Sequence, residues 1–403
     1  MRLSSLGFSM GSLSAMMEQQ SALAKLQNQV ALGTRITSPA DDPIAAVHIL
    51  ELQRAQSESE QFAKNSTLAK NRLSLEEQSM VDVGNVLTRV RELMVQAGNV
   101  GTLSNNDRLS IATELAARLD ELQDVANRQD GNGEYLFSGY ATKTKPFSGG
   151  DGTPINYVAD QGERQLAIST TQRVADSHNG FDVFVDIPEG NGTFSTAVNM
   201  ANTGSGAIDI GSVVDRTNWV PDDYTITFTT ATTYEITDGA TPTPNVVTTG
   251  TYTPGSAIQF NGVSVTITGA PAVGDTFSVE QSRSEDIFAT LGDVISILRQ
   301  PAGNAVANAK LSSSLSGSLQ QLDQATDHFL GVRAQIGVRL ATLDSVDASR
   351  EAMDVDLASS LSDLRDLDYA QALTQMNQKL VGLQAAQLSY TKISGLSLFN
   401  YLS

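Results

Sequence analysis

The chain has 403 residues, room for two or three domains, with 40% of them hydrophobic and only 18% charged. Aromatics make up 6%, so the apolar material is mostly Leu, Val, Ile, Met and Ala, which suits helix seams better than ligand pockets. A formal charge of −19 at pH 7 repels phosphate backbones and argues against nucleic acid as a partner, and the lack of Cys removes disulfides, thiolate nucleophiles and Cys-based metal sites.

Met1 to Met17 carries no uninterrupted apolar core followed by a cleavage site, and no run approaches the ~18 apolar residues of a membrane span. No membrane insertion is expected, and any export uses a route without a cleaved signal. Leu3, Leu6, Met10, Leu13 and Met17 then step by three and four, and Leu23, Leu26 and Val30 continue a slightly rotated apolar face. This is a coiled-coil-like helical stripe, marginal in water unless its face is docked. Gly33 can close it as the residue just past the helix end.

Asp42 before Pro43 reads as an N-cap followed by a first-turn proline, so a second helix starts there. Ala69, Leu73, Glu76, Met80, Val83, Leu87, Val90, Met94 and Ala97 alternate steps of four and three, with Glu76 the one polar member. The seam predicts a helix from about 43 to 98, roughly 80 Å long at ~1.5 Å per residue. Ser104 with Asp107 resembles a capping box opening a third helix, whose stripe is Leu115, Leu119, Leu122 and Ala126. Asp130-Gly131-Asn132-Gly133 supplies turn chemistry.

From about 148 to 282 the period falls to two. Tyr224–Phe228, Tyr234–Ile236, Val263–Ile267 and Phe277–Val279 alternate apolar with polar residues between Gly and Pro punctuation, which predicts short antiparallel strands. Helical period then returns. Ile287, Leu291, Val294 and Leu298 form a short stripe stopped by Pro301. Leu315, Leu319, Leu322, Phe329, Ile336, Leu340 and Leu343 form a ladder with Thr326 and Arg333 as polar rungs. Leu373, Met376, Leu380, Leu383 and Tyr390 make a last stripe, interrupted by Gln387.

The expected fold is therefore α+β and multidomain: a long coiled-coil-like helical bundle built from both chain ends, with an inserted β-rich domain. Residues 1–42 and 355–403 are terminal helical segments, 43–147 and 283–354 the bundle domain, and 148–282 the insertion. The terminal stripes must cover their faces against each other or against other chains.

Candidate chemistry is thin. His48, His178 and His328 lie far apart without a second His at ligand spacing, so structural or surface roles are expected and no metal site. Gly204-Ser205-Gly206 lacks the third glycine of a dinucleotide loop, and no cofactor is expected. Asp130–Gly133 superficially matches a calcium loop. Aligned on Gly133, however, its first position is Arg128 and its twelfth is Gly139, so the bidentate acid is missing. Asp41 and Asp42 could suggest an acid–base pair, but a carboxylate at a helix start already has a capping role. The chain is not expected to be an enzyme.

Gly33-Thr34-Arg35-Ile36 followed by Ser38-Pro39-Ala40-Asp41-Asp42-Pro43-Ile44-Ala45-Ala46 resembles the loop of the bacterial flagellin family. Proline on both sides of the Asp pair is similar to its hook–filament junction branch, as is Gly131-Asn132-Gly133-Glu134-Tyr135-Leu136-Phe137-Ser138-Gly139-Tyr140 with Pro146-Phe147. Ile336–Asp344 resembles the family's return helix, and the likeness spans about 1–147 and 283–403.

The resemblance implies a secreted flagellar protein exported through the type III channel. Its terminal helices would be disordered in the monomer and form an inner tube on assembly. It implies hook-associated protein 1, flagellin, further copies of the chain in a ring and an export chaperone as partners. The two terminal stripes, Leu3–Val30 and Leu373–Tyr390, would be the subunit-packing residues, and Ser38, Pro39, Asp41, Asp42 and Pro43 the family loop. A filament subunit, a ligand- or glycan-binding module in the insertion, and a phage- or type III-related coiled coil are the competing readings. Leu396–Ser403 carries no assignable contact.

Overall fold

The computed structural model describes residues 5–99, 103–150, 152–301 and 303–395. Its helices are α1 (Ser5–Leu32), α2 (Pro43–Ala97), α3 (Asn105–Ala126), α4 (Gly180–Phe184), α5 (Ile287–Arg299), α6 (Ala305–Arg365) and α7 (Tyr369–Gly395). Strands fill the middle of the chain, and α1 packs on α7, so the expected α+β order of helices, strands and helices is borne out. None of the described helices is long and apolar enough to cross a membrane.

The chemistry of the ends explains the helix bounds. Gly33 adopts φ +71, the left-handed conformation that closes α1 without a Cβ penalty. The Asp42 carboxylate accepts the Ala45 amide at 3.0 Å, and its carbonyl accepts the Ala46 amide, which caps α2 ahead of Pro43. Ser104 and Asp107 form the reciprocal capping box of α3. Asp286 caps α5 through the Ala289 amide at 2.5 Å.

The described residues fall into two compact units, one drawn from Met1–Lys64 and Ser345–Ser403, the other from Asn65–Asp344. In the second unit the predicted α2 seam is the core, from Ala69 and Leu73 at 0% exposure through Val83, Val90, Met94 and Ala97, also at 0%. Leu315, Leu322, Phe329, Ile336 and Leu343 of α6 are likewise buried, whereas Leu319 and Leu340 are partly covered. Phe137, Phe147, Phe184, Phe288 and Phe329 form an aromatic cluster. Phe184 is its hub, edge-on to Phe137 at 5.2 Å and 5.5 Å from both Phe147 and Phe329.

The hairpins Phe147–Gly150/Thr153–Tyr157 and Gln165–Ala167/Arg173–Ala175 precede α4, and the first of them packs on α3 and α5. Beyond the paired strands Ile187–Pro188 and Ser284–Glu285, the insertion has a core of its own. A five-stranded antiparallel sheet runs in the order Val246–Thr251, Thr233–Thr237, Tyr224–Thr230, Thr276–Gln281, Phe194–Val198. A second sheet joins Ala257–Phe260, Val263–Thr268 and Ala207–Ile208. The alternation read from the sequence is the burial pattern: Tyr224, Ile226 and Phe228 face in, as do Val263, Val265 and Ile267. The second sheet turns at Asn261 and Gly262, both at positive φ, as a two-residue hairpin loop requires.

Truncating the aromatic hub removes packing that no neighbour can replace. Phe184→Ala should cost the Asn65–Asp344 unit about 3–5 kcal/mol, read as a lower denaturation midpoint followed by near-ultraviolet circular dichroism.

Candidate assembly interface

The first candidate site is the terminal unit. The Thr34–Asp366 bridge ties the end of α1 to the start of α7, so the two helices run antiparallel. Half-buried positions on α1 include Ser12, Met16, Gln19, Leu23, Leu26 and Val30, alternating steps of four and three, with Ala22 and Gln29 flanking them. On α7 the covered positions include Ala372, Met376, Lys379, Leu383, Ala386 and Tyr390, in the same alternation, with Leu380 half-covered beside them.

The predicted packing residues thus divide. Leu23, Leu26, Val30, Met376, Leu380, Leu383 and Tyr390 lie on the half-covered side. Met10, Leu13 and Met17 are 66%, 46% and 57% exposed, and Leu373 is 43% exposed while its neighbour Ala372 is buried. Leu3 lies outside the described residues, as do the side chain of Leu6 and the whole of Leu396–Ser403. Each helix therefore shows a second apolar stripe beside the one it uses. Val381 and Leu388 extend it on α7.

The unit is also short of core. Among the described residues its buried hydrophobics are Ala45, Leu361 and Ala372, while Leu32, Ile44, Val47, Leu50, Met353 and Val355 join the terminal stripes in water. Covering one such side chain is worth roughly 1.5–3 kcal/mol. Left exposed, these residues contribute nothing to the fold of the isolated chain.

A clasp of backbone bonds joins the two helix–helix turns. The Arg35 amide donates to the Arg365 carbonyl at 2.7 Å, the Leu367 amide to the Gly33 carbonyl at 3.0 Å, and the Arg35 guanidinium to the Leu364 carbonyl at 3.0 Å. Asp41 organises the loop that follows. One oxygen accepts the Thr37 and Ser38 amides, both at 3.1 Å, and the Thr37 hydroxyl at 3.0 Å; the other meets Lys25 at 2.6 Å. Lys25, with the Thr37 amide and hydroxyl, holds its carboxyl far below the usual range. Both aspartates of the loop therefore serve the backbone. Pro39 stands in the turn closed by the Asp41 amide on the Ser38 carbonyl at 2.9 Å, and Pro43 opens α2.

Two buried polar groups on α2 hold a loop to the second unit. Arg72 meets Asp130 at 2.7 Å and Asp176 at 3.2 Å, and Arg164 donates to Asp176 at 2.8 Å. Glu76, the polar rung of the seam, accepts the His178 amide at 3.1 Å and meets its Nδ1 at 2.8 Å, while Nε2 faces Gln335 at 3.2 Å. Asp130 also accepts the Asn132 and Glu134 amides, so Asp130–Gly133 is a turn. His48 pairs with Glu51 on the surface and His328 meets the Asp182 carbonyl. Glu76 alone signalled this cluster in the sequence; Arg72, Asp176 and His178 lie off the apolar period. Among the described residues no group of His, Asp and Glu could hold a metal ion.

A cleft of about 390 Å³ lies between strand Phe194–Val198 and helices α5 and α6, lined by Glu189, Glu285, Asp293, Thr290, Ser313 and Gln321 among others. Burial, with Glu189, Asp293 and Asp286 nearby, pushes the Glu285 carboxyl up to about 7.

The comparisons with known proteins agree with this geometry. The bacterial flagellin N-terminal helical region matches residues 3–142, and the D2-like domain of flagellar hook-associated protein 1 matches residues 197–281. Flagellar hook-associated protein 3 of Salmonella typhimurium is 26% identical over 388 residues, 96% of this chain and 95% of that protein. The crystal structure of Xanthomonas campestris FlgL, 34% identical, covers 77% of this chain and 99% of its own at a TM-score of 0.72. Hook-associated protein 3 from Legionella pneumophila, 33% identical, covers 78% and 98% at 0.73. Bacillus subtilis flagellin is 34% identical, but over only 32% of this chain and 43% of the flagellin.

Helices at both chain ends with a β-rich insertion between them in sequence, and a flagellin-type N-terminal helical region, define a structural protein of the bacterial flagellum. Within that class, the chain belongs to the flagellar hook-associated protein 3 (FlgL) family.

Two outcomes follow from the carboxylates. Asp41→Ala should leave α2 helical and speed proteolytic cleavage between residues 34 and 42, measured by limited digestion. For Glu285, the ordinary value of 4.5 rises to about 7 in the fold. The folded chain thus keeps a proton that the unfolded chain has lost between these values. Its stabilising share is complete below pH 4.5 and fades as pH climbs through 7. Glu285→Gln should raise the melting temperature at pH 8 by about 2 °C or more and leave it unchanged near pH 4.

Proposed function

We propose that the chain is a structural adaptor at the hook–filament junction, joining the hook, through hook-associated protein 1, to the flagellin filament. It acts by packing and without turnover. The observation that carries the reading is the terminal unit: paired helices with a second apolar stripe, Met10, Leu13 and Met17 on α1 and Leu373, Val381 and Leu388 on α7, and almost no core. In a family of hook-associated proteins, like molecules stacked around an axis can supply the missing wall.

On this reading residues 1–42 and 355–403 are disordered in the monomer and become the inner tube on assembly. Residues 43–147 and 283–354 form the next layer, and 148–282 the outer domain. Leu3, Leu6, Met10, Leu13 and Met17, with Leu373, contribute to contacts between subunits, while Ser38, Pro39, Asp41, Asp42 and Pro43 hold the loop that turns the chain outward. Copies of the chain form a ring, and an export chaperone escorts the chain to the flagellar type III channel, which secretes it to the cell exterior. The thin charge of α1, with Glu18 and Lys25 only, agrees with that inner position.

Deletion of the gene in the bacterium that encodes it, followed by complementation, tests the reading. The deletion strain should carry intact hooks and shed flagellin into the medium, and the wild-type gene should restore filaments. A Met10→Ser, Leu13→Ser, Met17→Ser variant should be exported and keep the melting behaviour of the Asn65–Asp344 unit, yet fail to restore filaments. Normal filaments in the deletion strain would end the proposal.

A further inference from the structure

Beyond Ile187, the insertion has a hydrophobic cluster separate from that of the helices, whereas Phe184 before it packs on Phe288 and Phe329. Its hydrophobic cluster runs from Phe194 to Val279 and contains no residue of α5 or α6 among those described. One attachment is the paired strands Ile187–Pro188 and Ser284–Glu285, extended by the Glu189 amide on the Arg283 carbonyl at 2.7 Å.

The other attachment is a line of side chains along α6. Lys310 donates its Nζ to the Met200 carbonyl at 2.7 Å. The Ser313 hydroxyl accepts the Ile208 amide at 3.0 Å and donates to the Ile208 carbonyl at 3.2 Å. Gln321 Oε1 accepts the Gly190 amide at 2.9 Å. Between them a Cβ on Gly317 would lie 3.8 Å from the Thr196 carbonyl oxygen, so the strand edge comes close to the bare helix backbone there.

These positions step by three and four and share one face of α6. They sit beside the apolar stripe of Leu315, Leu322 and Phe329, which serves the helical core. Every bond runs from a helix side chain to the main chain of the insertion. Such bonds are directional, whereas apolar contact tolerates sliding. Met200 of the insertion shares a cleft with Ile297 and Leu311, and among the described residues the directional contacts are these bonds and the paired strands.

We propose that Lys310, Ser313 and Gln321 form a rail that sets the orientation of the β insertion on the helices, and that the paired strands Ile187–Pro188 and Ser284–Glu285 are the pivot about which it swings when the rail is removed. Because the insertion has its own core, loss of the rail changes its direction and not its fold.

The chain has no Cys, so spin labels can be placed singly. Thr113→Cys on α3 and Thr232→Cys in a turn of the insertion are both exposed, and the full-length chain carrying both reports the angle by pulsed electron–electron resonance. The parent should give one narrow distance distribution. Ser313→Ala with Gln321→Ala should broaden it roughly twofold with unchanged far-ultraviolet circular dichroism, as for a released hinge. Ser313→Thr, which keeps the hydroxyl, should leave it narrow. A distribution as narrow in the double variant as in the parent, or one already broad in the parent, overturns the proposal. Should the double variant not fold, Lys310→Met and Gln321→Leu are measured singly, and failure of both to broaden the distribution overturns it equally.

Discussion

Two helices that meet along one narrow seam leave most of each cylinder turned outward, and what lies on that outer surface decides whether the pair is complete. In α1 and α7 the seam is modest, built from Met16, Leu23, Leu26 and Val30 against Met376, Leu383, Ala386 and Tyr390, none of them fully buried. The outer surface is apolar as well. A water-exposed stripe of Met and Leu gives the isolated pair nothing and gives an assembly a driving force that depends on neighbours. The terminal unit is therefore short of core as an isolated chain, and that deficit is the ground of the proposed packing between subunits.

The loop after α1 shows how such a pair is kept in register. Gly33 lets the chain leave α1 in a left-handed conformation, the Arg35 amide donates to the Arg365 carbonyl and the Leu367 amide to the Gly33 carbonyl across the two turns, and Asp41 gathers the loop amides. Asp42 then starts α2. Adjacent carboxylates that could pass for acid–base chemistry are spent on orphan amides and a helix end, which is the usual cost of turning a chain sharply between two long helices.

The second unit is built on the opposite plan. Its helices bury a continuous seam and an aromatic cluster, and its buried charged groups are paired locally through Arg72, Glu76, Asp130, Asp176 and His178, with one carboxylate oxygen each of Glu76 and Asp176 left without a hydrogen bond. The β insertion carries a separate core and touches the helices through main-chain bonds. Strong cohesion within each body and directional, polar contact between insertion and helices is the combination that lets one part be reoriented without unfolding the other.

Periodicity, caps and punctuation were enough to place α1, α2, α3, α5 and the alternating strands, because each depends on residues within one or two turns of each other. Ser104 with Asp107, Asp42 before Pro43 and Gly33 carry their structural meaning in the local sequence. Glu76 stood out as the one polar member of its seam, but its partner His178 was not read from the sequence. Tertiary structure alone decided which stripe of the terminal helices is covered: Ala372 and not Leu373, Met16 and not Met17. Neighbouring helix positions differ by about 100° of rotation, and where both are apolar only the partner helix, over 300 residues away, selects between them. The same holds for Arg72 with Asp176 and for Ser313 with Ile208, pairs joined by a folded distance that no spacing in the sequence records.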